Sequence, residues 1–167
     1  MSEEGCYEAA HAAYDFLVNE KGVRCEDIFV LGYSLGSAIA MELAATQNVG
    51  GLILQAPFIS GRRLKRCWLG EKEMPIEDND NSFPTASRLS SIHVPTLVIH
   101  GKSDDVIPFS HGEAVFNRIA SKEKAFVPVE YAGHCDFQMK LGDDYIPLLL
   151  NFISKRQLPA NHPSSAN

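Results

Sequence analysis

The run Ile28-Phe29-Val30-Leu31-Gly32 leads directly into Gly32-Tyr33-Ser34-Leu35-Gly36, and the small, apolar, helix-favouring stretch LGSAIAMELAATQ follows. An unbroken apolar run this short suits a strand buried on both faces of a parallel sheet. A helix beginning two residues later leaves room only for a tight turn, so Ser34 must sit on a sharp strand-to-helix corner. The pattern then repeats. Leu52-Ile53-Leu54 and Thr96-Leu97-Val98-Ile99 read as two more buried strands, and residues 126–131 as a fourth. Pro128 has no N–H for a ladder, which places that fourth strand at a sheet edge. Strands alternating with helices define βαβ units, so the expected class is α/β: a parallel sheet flanked by helices.

Four helices accompany these strands. Ala9, Ala10, Ala13, Phe16 and Leu17 recur at helical spacing, with Lys21-Gly22 as a stop signal. The stretch after Ser34 supplies the second. Ser110 is expected to cap a helix burying Ala114, Val115, Phe116 and Ile119, and Asp143 one burying Ile146, Leu149, Phe152 and Ile153. Residues 59–93 form an unusually long connection, with the basic run RRLKRCWLG followed by the polar EKEMPIEDNDNS. One domain is expected over residues 1–156, and the polar, Pro-containing segment 157–167 reads as a disordered tail.

With 167 residues, 45% hydrophobic and 22% charged, disorder and coiled coils are excluded as descriptions of the whole chain. The net charge of −6 argues against nucleic acid as a partner, because phosphate affinity needs a dense basic surface. No apolar run approaches the ~20 residues that span a bilayer, and residues 1–16 lack signal-peptide character. A cytoplasmic location is therefore expected. The four cysteines have no C-x-x-C spacing, and Asp78 and Asp80 lack supporting ligands, so neither a metal nor an organic cofactor is expected.

G-x-S-x-G between a strand and a helix is the nucleophile elbow, which lifts a serine Oγ above the sheet. Gly32 and Gly36 are expected to be small because the chain turns too tightly there for side chains. The Leu35 amide, at the helix start, would face the reacting centre and bind an oxyanion. A serine hydroxyl needs a histidine base, itself held by a carboxylate. Asp104 follows the third strand and His134 the fourth, so the order is Ser34, Asp104, His134, each at a strand's carboxyl end, where open α/β sheets place their sites. Asp105 is the alternative acid. Cys135, beside His134, is not needed as a nucleophile, and Asp136 is expected to orient the histidine loop. His100 and His111 are expected to brace the acid loop.

These stretches, with VLGYSLGSAIAMELA, GGLILQAPFISG, FPTASRLSSIHVPTLVIHGKSDDVIPFSHGEAVF and AGHCDF, resemble the α/β-hydrolase superfamily over residues 7 to 155. Within it they are most similar to the α/β-hydrolase-domain proteins that act as protein depalmitoylases. The resemblance implies a serine hydrolase that cleaves an ester or thioester through an acyl-enzyme, with a long-chain acyl group or an acylated protein as substrate. A full α/β-hydrolase sheet has about eight strands, of which this chain would supply the last four. No HG-rich loop precedes Ser34 to add a second oxyanion donor, and strand 28–32 would present a bare edge, open to a second copy. The branch's lipid-bearing, cysteine-rich N-terminus has no match here, since Cys6 stands alone, so membrane attachment is not carried over to this chain; a peripheral membrane location is an expectation for a longer version only. Two alternatives stay open: a fragment or binding module that keeps the triad residues without a complete oxyanion hole, and a serine peptidase.

Overall fold

The computed structural model describes residues 2–61, 64 and 83–157. Four strands, β1 (Phe29–Tyr33), β2 (Gly51–Gln55), β3 (Thr96–Gly101) and β4 (Lys124–Val129), form one sheet in the order β1-β2-β3-β4, and every pair is parallel. The helices are α1 (Glu3–Asp15), α2 (Leu35–Thr46), the short α3 (Thr85–Arg88), α4 (Phe109–Arg118), α5 (Phe137–Leu141) and α6 (Tyr145–Gln157).

The pleat sorts side chains by parity. Leu52, Leu54 and Val98 point to one face and pack with Tyr14, Met41, Leu43 and Val115 from α1, α2 and α4 and with Ile119 just after α4. Ile53, Leu97 and Ile99 point to the other, against Phe137 of α5 and Leu149 and Phe152 of α6. β2 and β3 are buried along their whole length, as sandwiched parallel strands are. β4 is an edge strand and its Pro128 lies opposite His100, in agreement with the proline argument.

β1 departs from the expectation of burial on both faces. Among the described residues β2 is its one strand neighbour, and Leu31 is 49% exposed, while the first residue of β1, Phe29, is covered by an edge-to-face contact with Phe152 of α6. On α1 the alanines, Phe16 and Leu17 are not the packing stripe. Tyr14 is the buried residue, its hydroxyl donating to the carbonyl of Asn48, and a π-helical turn over Phe16–Glu20 carries the chain to the left-handed Gly22. Ser110 does not cap α4, since Pro108 occupies that place and Ser110 lies within the first turn; proline's fixed φ suits a helix start. Asp143 belongs to a 3₁₀ turn before α6, and Ile146 is exposed. The fourth strand runs Lys124–Val129, two residues earlier at both ends than expected; the Lys124 amine is held by the carbonyls of Phe116 and Ile119 and lies over the Phe116 ring. α6 runs to Gln157; the rest of the expected tail, Arg62, Arg63 and most of the basic and polar segment that follows lie outside the described residues. No helix among the described residues is long and apolar enough to cross a membrane.

Candidate active site

Ser34 follows β1 directly and adopts φ 52°, ψ −120°, a conformation that costs an ordinary residue ~1–3 kcal/mol. Neighbouring bonds hold it there. Its N–H donates to the Gln55 carbonyl, continuing the β1–β2 ladder past the strand end, and its carbonyl accepts from both the amide (2.9 Å) and the hydroxyl (2.6 Å) of Ser37. Gly32 allows the helix to start this close. A Cβ there would collide with the Gly36 carbonyl oxygen and stand 2.6 Å from Ala40 Cβ and 2.7 Å from Ser37 Cα. Gly36 does not share that role: a Cβ on it would meet nothing within 4 Å, so the requirement for smallness applies to Gly32 alone. Leu35 opens α2, where the first N–H groups have no partner within the helix.

The other two loops are pinned to the sheet in the same way. The Lys102 amide bonds the Val129 carbonyl and the Ser103 amide the Ala132 carbonyl, so the loops after β3 and β4 rise together. Across them Ser34 Oγ lies 3.0 Å from His134 Nε2, and His134 Nδ1 lies 2.8 Å from Asp104 Oδ2. The sequence brings these three residues together over separations of 100 and 30 positions. Asp105 is exposed and makes no such contact, whereas Asp104 is buried. Asp104 Oδ1 accepts from the amides of Val106 (2.9 Å) and Ile107 (2.8 Å), turning the carboxylate so that Oδ2 faces His134. Burial alone would raise the Asp104 pKa, but hydrogen bonds from His100, His134 and these amides outweigh it and hold the carboxyl at about 2. The Asp104 carboxyl is thus ionised at neutral pH. A carboxylate fixed on Nδ1 leaves Nε2 free to take a proton from the serine.

Sequence reasoning missed two supporting residues. The Tyr33 hydroxyl donates to the His134 carbonyl at 3.0 Å and its ring tilts against the imidazole, with centroids 5.2 Å apart. Burial, and then the Cys135 thiol, raise the Tyr33 pKa, so its hydroxyl remains a donor. Ser37 was the second, as the clamp on the Ser34 carbonyl. The signal for both was faint: a tyrosine at a variable position of the motif and a serine just after it, each bonded to a backbone carbonyl. Asp136 does order the histidine loop, accepting from the Gly133 amide. No cluster of three or more His, Cys, Asp or Glu side chains able to hold a metal occurs among the described residues.

A parallel sheet carrying a serine on a strained strand-to-helix corner, with histidine and aspartate following the next strands, defines the α/β-hydrolase class. Comparison with known proteins agrees. The prolyl oligopeptidase family matches residues 3–135, and the chain belongs to that family within the α/β-hydrolase superfamily. It is 35% identical over 153 residues to the alpha/beta hydrolase domain-containing protein aho-3 of Caenorhabditis elegans, covering 91% of this chain and 43% of that protein. It is 34% identical over 154 residues to the human alpha/beta hydrolase domain-containing protein 17B, covering 92% and 51%. The chain therefore spans about half the length of the curated relatives it matches. A monoacylglycerol lipase from Paleococcus ferrophilus has the same fold, with a TM-score of 0.67 at 15% identity over 90% of this chain and 76% of that one.

Proposed function

We propose that the chain is the part of a serine hydrolase that carries the triad, acting on carboxylic esters or thioesters. The hydrogen-bonded series from Ser34 through His134 to Asp104 is the observation that carries this reading. Ser34 Oγ attacks the acyl carbon as its proton passes to His134 Nε2. The Asp104 carboxylate keeps the imidazole in the accepting tautomer and stabilises its protonated form. The Leu35 amide donates to the oxyanion. Collapse breaks the bond to the leaving oxygen or sulfur, which departs with the proton from His134. Water then attacks the acyl-serine through the same base, releasing the acid and restoring Ser34.

The acyl side is proposed to be a long chain, as on a palmitoylated protein. This rests on the resemblance to the depalmitoylase branch and on apolar exposure around the relay. Tyr33, Leu35 and Val106, which flank Ser34 and Asp104, are 37%, 50% and 37% exposed. A second reading, a serine peptidase, is favoured by the match to the prolyl oligopeptidase family. A panel of acyl thioesters of increasing length, run beside proline-containing peptides, separates the two. The acyl reading predicts kcat/KM rising up to about fourfold per added methylene until the apolar surface is filled, from ~0.8 kcal/mol per buried methylene. Flat dependence on chain length together with cleavage of the peptides would establish the peptidase instead.

A further inference from the structure

His100 is the penultimate residue of β3, its side chain fully buried, and the elbow chemistry does not use it. Its Nε2 lies 2.9 Å from the Ile107 carbonyl oxygen and 3.3 Å from Asp104 Oδ2. Both neighbours only accept, so Nε2 carries the proton, bonded to the Ile107 carbonyl with Oδ2 within reach beside it. The opposite nitrogen, Nδ1, is buried without a hydrogen-bond partner among the described residues. It faces Gly112 of α4, where an added Cβ would collide with Nδ1 and stand 3.0 Å from Cγ. Two local costs therefore coincide, an unpaired buried nitrogen and a glycine inside a helix. An apolar side chain with an alanine opposite would avoid both, so shape-filling alone does not account for the pair.

We propose that His100 is a positioning residue for the acid, its Nε2–H clamping the Asp104 carboxylate toward His134, with Gly112 as the gap that admits its ring. The inference rests on the acid role given to Asp104 above. Four N–H groups then face the Asp104 carboxylate, two at each oxygen: the Val106 and Ile107 amides at Oδ1, His134 at 2.8 Å and His100 at 3.3 Å from Oδ2. Two pairs fix both the plane and the tilt of the group, which a single contact to His134 would leave free to swing. The bond to the Ile107 carbonyl closes the same turn from behind, tying the residue that supplies one of those amides to the strand end.

Nuclear magnetic resonance on the full 167-residue chain tests this without relying on turnover. In the wild-type protein the His100 imidazole is expected to be protonated at Nε2 and bare at Nδ1; a ring protonated at Nδ1 alone would overturn the proposal. Following the Asp104 carboxyl carbon against pH, His100→Phe is expected to raise its midpoint by about one pH unit, since a donor to the charged form is lost. His100→Gln, which keeps an N–H near the position of Nε2, is expected to restore most of that shift. A folded His100→Phe protein whose Asp104 titrates as in the wild type would also overturn it. Labelling of wild-type Ser34 by a fluorophosphonate, measured on the same sample, addresses the hydrolase reading separately. Its absence would count against that reading, while the Asp104 titration would still decide the clamp.

Discussion

At the scale of single residues, the choice between Asp104 and Asp105 shows where sequence stops and structure begins. Order along the chain and position after a strand identify the acid loop, but both aspartates satisfy them. What separates them is the turn that follows. Asp104 folds back to accept the amides two and three residues on, which buries it and aims its free oxygen at His134. This has a measurable consequence. The folded-state pKa of about 2 lies below the ~3.9 of an unfolded aspartate, so the ionised group stabilises the fold fully above pH ~4. That stability is lost as pH falls through about 2. Asp104→Asn is therefore expected to lose about 2 kcal/mol at neutral pH, with the gap to wild type closing between pH ~4 and ~2. Denaturant titrations across that range check it, with Asp105→Asn expected to stay near wild type throughout. Tyr33 and Ser37 were illegible for a different reason, because each acts through a backbone carbonyl that no side-chain pattern marks.

At the scale of elements, β2 and β3 were legible because buried parallel strands are short apolar runs bounded by turn residues, and β1 and β4 because the same alternation with helices continues on either side of them. Their ends were less so. Lys124 starts β4 although it is charged, since two carbonyls satisfy its amine and the strand pairs regardless of side chain. The strand-to-helix corner was read correctly as a whole but not glycine by glycine. Gly32 is pressed against the first turn of α2, while Gly36 faces open space. Gly32→Ala is thus expected to destabilise the chain by about 1–3 kcal/mol through overpacking and to displace Ser34. Gly36→Ala is expected to be neutral or to stabilise by up to about 1 kcal/mol, from alanine's better helix propensity. Thermal melts of the two variants side by side show the difference; equal destabilisation would mean that both positions are packed.

At the scale of the whole molecule, the sheet is covered on both faces at its centre and exposed at β1, the strand that delivers Ser34. Leu31 and Leu35 lie half-exposed along that side, and β1 pairs with β2 alone. The fold class could be read from the alternation of elements, because each strand and helix declares its own period. Substrate choice could not, since it depends on surfaces assembled from several loops around the relay. Even so, Ser34, His134 and Asp104, the residues proposed to carry the reaction, come from three separate loops and meet within hydrogen-bonding distance across a sheet of four strands. The central claim is that this meeting makes Ser34 a nucleophile. Treating the 167-residue chain with a fluorophosphonate and mapping the adduct by peptide mass spectrometry tests it most directly, with Ser34→Ala as the control. The prediction is a single adduct on Ser34, absent from the variant. Folded protein that carries no adduct, or one that labels equally in Ser34→Ala, would contradict it.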